Sequence, residues 1–78
     1  MTQYNTLKEE LISNDADFRR LFEEHQDCER ELDTLHRKSF LSEEDEFAEK
    51  RLKRHKLTLK DQMFAMIREH REHSRISA

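Results

Sequence analysis

Apolar residues recur along most of this chain at steps of three and four, the period of an α-helix. Phe18, Leu21, His25, Cys28, Leu32 and Leu35 follow one another at such alternating steps, with Phe22 beside them. Together they form a heptad seam through three repeats. The pattern predicts a long helix over about 15–37, ending near His36-Arg37-Lys38, where three basic residues suit the negative end of the helix dipole. Ahead of it, Leu7, Leu11 and Ile12 share one face of a short helix over about 6–13, opened by Thr6-Leu7-Lys8-Glu9 in the form of a capping box. The polar cluster Asn14-Asp15-Ala16-Asp17 either caps the second start or bends one continuous helix.

A link is expected over about 38–42. Ser42 followed by Glu43-Glu44-Asp45 combines a hydroxyl cap with carboxylates in the first turn, a strong helix start. The helix that follows is expected over about 43–72, roughly 45 Å at 1.5 Å per residue, with a frayed tail to 78. Its main apolar face holds Ala48, Leu52, Leu59, Met63, Met66 and Ile67, and the stem of Lys56 fills a gap in the stripe. So short a link makes the long helices antiparallel neighbours. Folding about residue 40 sets Leu32 near Ala48, Cys28 near Leu52, His25 near His55 and Lys56, Leu21 near Leu59, and Phe18 near Met63. Met66, Ile67 and His70 then extend past the first long helix, where Leu7, Leu11 and Ile12 can cover them. The fold class is all-α: an antiparallel helical hairpin with a short N-terminal helix, forming one domain over residues 1–78.

Composition narrows this further. The chain has no glycine and no proline, so glycine-dependent phosphate loops and dinucleotide fingerprints are excluded. With 33% hydrophobic and 42% charged residues over 78 positions, little material remains for a core, and oligomerisation is the expected remedy. Cys28 is the only cysteine, so no internal disulfide forms and a reducing, cytoplasmic setting is the simplest. No apolar run reaches the roughly 20 residues that span a bilayer, and the first ten residues lack a signal-peptide apolar region, so a protein off the membrane is expected.

The pattern Phe18-x-x-Leu21-x-x-x-His25, followed by Leu52-Lys53-x-x-Lys56-Leu57-x-Leu59-Lys60-Asp61, resembles the YdcH-like family of short bacterial proteins of unknown function. The similarity runs from about Phe18 to Ile67, and LKRHKLTLKDQM is its most specific block. The resemblance implies a self-associating helical hairpin of bacterial origin and no catalytic role. Cys28 stands where the family commonly has leucine, and Gln62 where it commonly has glutamate.

Each candidate site also has a plainer structural role. The basic stretch Lys50 to Lys60 is the best nucleic-acid candidate. However, Glu46–Lys50 and Glu49–Lys53 are i,i+4 pairs in the favourable order, and solvated, mutually paired surface is the preferred reading. His70 and His73 have the spacing of a helical metal pair but lack a third ligand, so no metal and no cofactor is expected. His25 reads as a structural seam residue, packed neutral beside Lys56, with pH sensing as the sharper alternative. Cys28 reads as a small core hydrophobe.

Leu57 and Phe64 carry more weight. They lie seven apart and roughly a third of a turn off the seam of the second long helix, so a simple hairpin leaves them exposed. With Lys60 and Ile67 at its borders, this is a second contact face, for another copy or for the helix of a partner protein. Phe40, Leu41 and Phe47 at the hairpin tip can extend it. The functional expectation is a non-enzymatic interaction or structural module, with a nucleic-acid-associated regulator using Lys50 to Lys60 as the alternative. No small-molecule substrate is expected, since nothing implies a concave pocket.

Overall fold

The computed structural model describes the backbone of Thr2–Ser77 and the side chains of residues 5–73. Three α-helices account for nearly all of it: α1 (Thr2–Asn14), α2 (Ala16–His36) and α3 (Glu43–Ser77). Among the described residues there is no strand. Two boundaries differ from expectation. α1 begins at Thr2, so Thr6 lies inside the helix and opens no capping box. α3 continues to Ser77, well past residue 72; the last residue of the expected tail, Ala78, lies outside the described residues. With no glycine or proline to stop it, α3 continues through its charged C-terminal stretch.

The junctions explain why the chain breaks where it does. Asp15 is a single extended residue (φ −122°, ψ 111°) between α1 and α2. Its carboxylate accepts from the Phe18 N–H at 3.0 Å, the geometry of an N-cap. Arg19 closes the other side of the same junction, its guanidinium donating to the Ile12 carbonyl at 2.8 Å and the Ser13 carbonyl at 3.0 Å. α1 therefore ends on its neighbour's arginine where a glycine cap is absent. α2 ends in a tightened turn, with Arg37 N–H reaching the Asp33 carbonyl at 3.1 Å and Lys38 N–H the Leu35 carbonyl at 3.2 Å. α3 opens on a reciprocal box: Asp45 N–H donates to Ser42 Oγ at 3.1 Å, and Ser42 N–H donates to the Asp45 carboxylate at 3.2 Å. Lys38 adds an ion pair to Asp45 at 3.1 Å. Together these bonds pull the Asp45 carboxyl below the usual carboxylate range, the Lys38 hydrogen bond first among them.

α1 packs on both α2 and α3, and α2 packs along α3. Ion pairs join α2 and the link after it to α3: Lys38 with Asp45, His36 with Glu49 at 2.6 Å, Glu29 with Lys56 at 3.6 Å, and Glu24 with His55 at 3.9 Å. The molecule measures 54 × 23 × 16 Å.

The core lies where the three helices meet. Leu7 and Leu11 of α1, Phe18 of α2, and Met63 and Ile67 of α3 form one buried cluster, with Ile12, Leu21, Phe22 and Met66 packed against it. Phe18 is 0% exposed. Cys28, Leu32 and Leu35 continue the buried line of α2 towards the link, outside that cluster.

Candidate interaction face

On the seam, Phe18, Cys28, Leu32, Leu35, Leu59 and Met63 are buried, while Leu21, His25 and Leu52 are half-buried. His25 sits beside the three-helix junction with its Nε2 buried and without a hydrogen-bond partner. Its Nδ1 faces Glu29 at 3.5 Å, a partner the heptad pattern did not disclose. Burial lowers its pKa most; Glu29 raises it, and the ammonium groups of Lys56, Lys60 and Lys8 lower it again, for a net depression. Lys8 reaches this region from α1, where it also stands 5.2 Å over the ring of Phe22. The Cys28 thiol is pushed up, first by burial and then by Glu31, Asp27 and Glu24. A thiol so placed is a poor nucleophile.

The second face of α3 divides. Leu57 is 62% exposed and Phe64 48% exposed, and Lys60 is exposed beside them. Ile67 does not belong to this face: at 5% exposed it packs in the core with Leu7 and Leu11. It stands eight residues after Leu59, and so only a short arc from the inner stripe, and α1 lies over that arc. His70, expected beside α1, faces it there, its Nε2 2.9 Å from the Glu10 carboxylate. Among the described residues, no group of three or more His, Cys, Asp or Glu side chains gathers as a metal site would require. At the other end, Phe40 and Phe47 are 81% and 68% exposed, and Leu41 is half-buried.

The basic stretch is neutralised differently from what its sequence implies, with Lys56 paired to Glu29 of α2 at 3.6 Å. Glu49 reaches Lys53 at 3.9 Å but lies closer to His36, at 2.6 Å. The expected Glu46–Lys50 pair does not form. Beside Leu57, an open groove of about 1030 Å³ runs between α2 and α3, with Leu32 at its base and Glu29, Asp33, Lys53, Lys56 and Lys60 along its walls. It lies open to solvent, in contrast to the enclosing walls of small-molecule pockets. No helix is long and apolar enough to cross a membrane among the described residues.

The geometry assembles an exposed apolar pair on a long helix, flanked by lysines, and gathers no reacting groups around it. Comparison with curated proteins found no match, and neither did comparison with solved structures. The family described as "Protein of unknown function (DUF465)" matches residues 18–67, from the first seam residue of α2 to the last core residue of α3. That span is well over half of the chain and includes the motifs resembling the YdcH-like proteins, which are members of this family; the chain therefore belongs to the DUF465 family, whose function is unknown.

Proposed function

We propose that this protein is a non-enzymatic interaction module: an antiparallel helical hairpin, braced by α1, that offers the outer face of α3 to another helix, from a second copy or from a different protein. The observation that carries this reading is the exposure of Leu57 and Phe64, seven residues apart on a helix whose inner stripe is already buried. Two large apolar side chains at heptad spacing form the minimum seam a second helix can grip. The size of the chain supports the same reading, since so polar a hairpin gains from burying more surface against a neighbour. The lone Cys28 suits a reducing, cytoplasmic setting for such a module.

Light scattering on the purified protein and on Phe64→Ser, with helicity checked by circular dichroism, tests the self-associating form. A multimer at micromolar concentration that Phe64→Ser reduces to a monomer is expected if a second copy covers the face. A fully helical monomer unaffected by Phe64→Ser defeats self-association and leaves the partner helix. The alternative, a nucleic-acid regulator using Lys50 to Lys60, is supported by the incomplete neutralisation of those lysines, and requires salt-dependent retention of duplex or single strand.

A further inference from the structure

The occupant of the α3 face is constrained by its charges. At about 100° per residue, Leu57 and Phe64 share a narrow stripe with Lys50, Lys53, Lys60, Arg68 and Arg71. All five basic residues are exposed. Only Lys53 has an ion pair among the described residues, at 3.9 Å to Glu49. The carboxylates on or beside the same arc are Glu43, Glu46 and Glu49, towards its N-terminal end, and Asp61, three residues before Phe64. The steps from Lys50 through Lys53, Leu57, Lys60 and Phe64 to Arg71 keep the three-and-four rhythm of a heptad seam. The face is therefore a predominantly basic stripe, about six turns long, with two apolar anchors in its middle.

A second copy fits this stripe poorly. In a two-fold antiparallel pairing of α3 with itself, Leu57 meets the copy's Phe64 only if Lys53 meets Arg68 and Lys50 meets Arg71, so that four like-charge contacts outnumber the two Lys60–Asp61 contacts at the centre. In a parallel pairing every basic side chain meets its own counterpart. Like charges brought together at an interface oppose association. The acidic line of α2, Asp17, Glu24, Asp27 and Glu31, has no large exposed apolar residue to meet Leu57 and Phe64, and Asp17, Glu24 and Asp27 are already faced by Arg20, His55 and Arg30. On the solvent side of α2, Arg19, Arg30 and Arg37 interleave with Glu23 and Asp27, and Arg30 is already paired with Asp27. The acids at the start of α3 are distributed around the helix, and Asp45 is held by Lys38. A lipid surface is also a poor match, since an interfacial helix needs a wide apolar face with its lysines on the opposite side, whereas these lysines alternate with the two anchors.

We infer that the face receives an acidic amphipathic helix of a different protein, whose apolar residues pack on Leu57 and Phe64 and whose carboxylates pair with Lys50, Lys53, Lys60, Arg68 and Arg71. This rests on the proposed docking role of the face and adds the chemistry of the partner. The test uses the full chain and three labelled helical peptides of about three heptads with the same leucine seam, flanked by Glu, Gln or Lys. Fluorescence anisotropy should show saturable binding of the Glu peptide, at least about ten-fold tighter than the Gln peptide, with no binding of the Lys peptide. Raising salt from about 50 to 500 mM should weaken it by about ten-fold or more. Leu57→Ser, Phe64→Ser and Lys53→Glu/Lys60→Glu, each confirmed helical, should each weaken it by about ten-fold.

Equal binding of the three peptides, lost in Phe64→Ser, overturns the acidic partner and leaves the docking face standing. A dimer that Phe64→Ser dissociates does the same and makes a second copy the occupant. No binding of any peptide by a monomeric chain overturns both. Retention of a DNA duplex or of phosphatidylserine vesicles at full strength by Leu57→Ser, with no Glu-peptide binding, assigns the lysines to phosphate chemistry and overturns the inference.

Discussion

His25 occupies a position that a leucine seam would fill with an apolar side chain, and its surroundings do not welcome charge. Its buried Nε2 has no partner, Lys8, Lys56 and Lys60 face it from α1 and α3, and only Glu29 of its own helix favours the imidazolium. A histidine whose pKa is depressed in the folded chain binds fewer protons there than in the unfolded chain. Its contribution to stability is present above the unfolded value of about 6.5 and is lost as pH falls through the folded one. Stability conferred by His25 should therefore decline between pH 7.5 and pH 5. Comparing urea unfolding of the wild type and His25→Leu at both values isolates this residue from the other four histidines, and the variant should gain on the wild type as pH falls. A constant difference between the two proteins would show that His25 titrates normally. The heptad pattern located this residue on the seam and placed Lys56 opposite it. It did not locate Glu29 as its nearest charge, because an i,i+4 neighbour reaches a seam residue only when its rotamer turns inward.

The helices themselves follow from local chemistry. α2 and α3 each begin on a side chain that accepts a backbone N–H of the first turn, Asp15 for one and Ser42 for the other. The Ser42 box should be the more sensitive, since it also receives Lys38 through Asp45 and sets where the chain turns from α2 into α3. Ser42→Ala should cost about 1 kcal/mol in urea unfolding, and Ser42→Asp should restore most of it. An unchanged midpoint would mean that the link is held by other contacts. Both caps were readable because capping is a matter of residue type within three positions. The start of α1 was misread for a related reason: Thr6 has the right spacing to Glu9, but a capping box forms only where the helix begins, and α1 begins at Thr2. The length of α3 was understated because charged termini were expected to fray.

In the whole molecule, the end carrying α1 holds most of the packing. Phe18 and Met63 are buried in one cluster with Leu7 and Leu11. Leu11→Ala should therefore cost about 2–4 kcal/mol, a large part of the stability available to a chain of this size. The loss should appear in thermal unfolding as a lower midpoint with reduced cooperativity. If Leu11→Ala melts like the wild type, α1 is not part of the cooperative unit. The opposite end, towards the link, is buried more thinly by Cys28, Leu32 and Leu35, and it carries the exposed Phe40 and Phe47.

The period and caps of α2 and α3, the inward set from Phe18 to Leu35, and the exposure of Leu57 and Phe64 were all legible along the chain, because each depends on residues within one or two turns of one another. The cover of Ile67 and His70 by α1 was legible as well; the withdrawal of Ile67 from the Leu57 and Phe64 face, the pairing of His70 with Glu10, the diversion of Glu49 from Lys53 towards His36, and the closure of α1 by Arg19 were not. Those depend on which apolar stripe of α3 receives a neighbour, and α1 settles that by lying across α2 and α3 at one end only. Periodicity marks the faces of a helix that are suited to contact; the three-dimensional arrangement of its neighbours selects the ones that are covered, and here it leaves a basic stripe centred on Leu57 and Phe64 open.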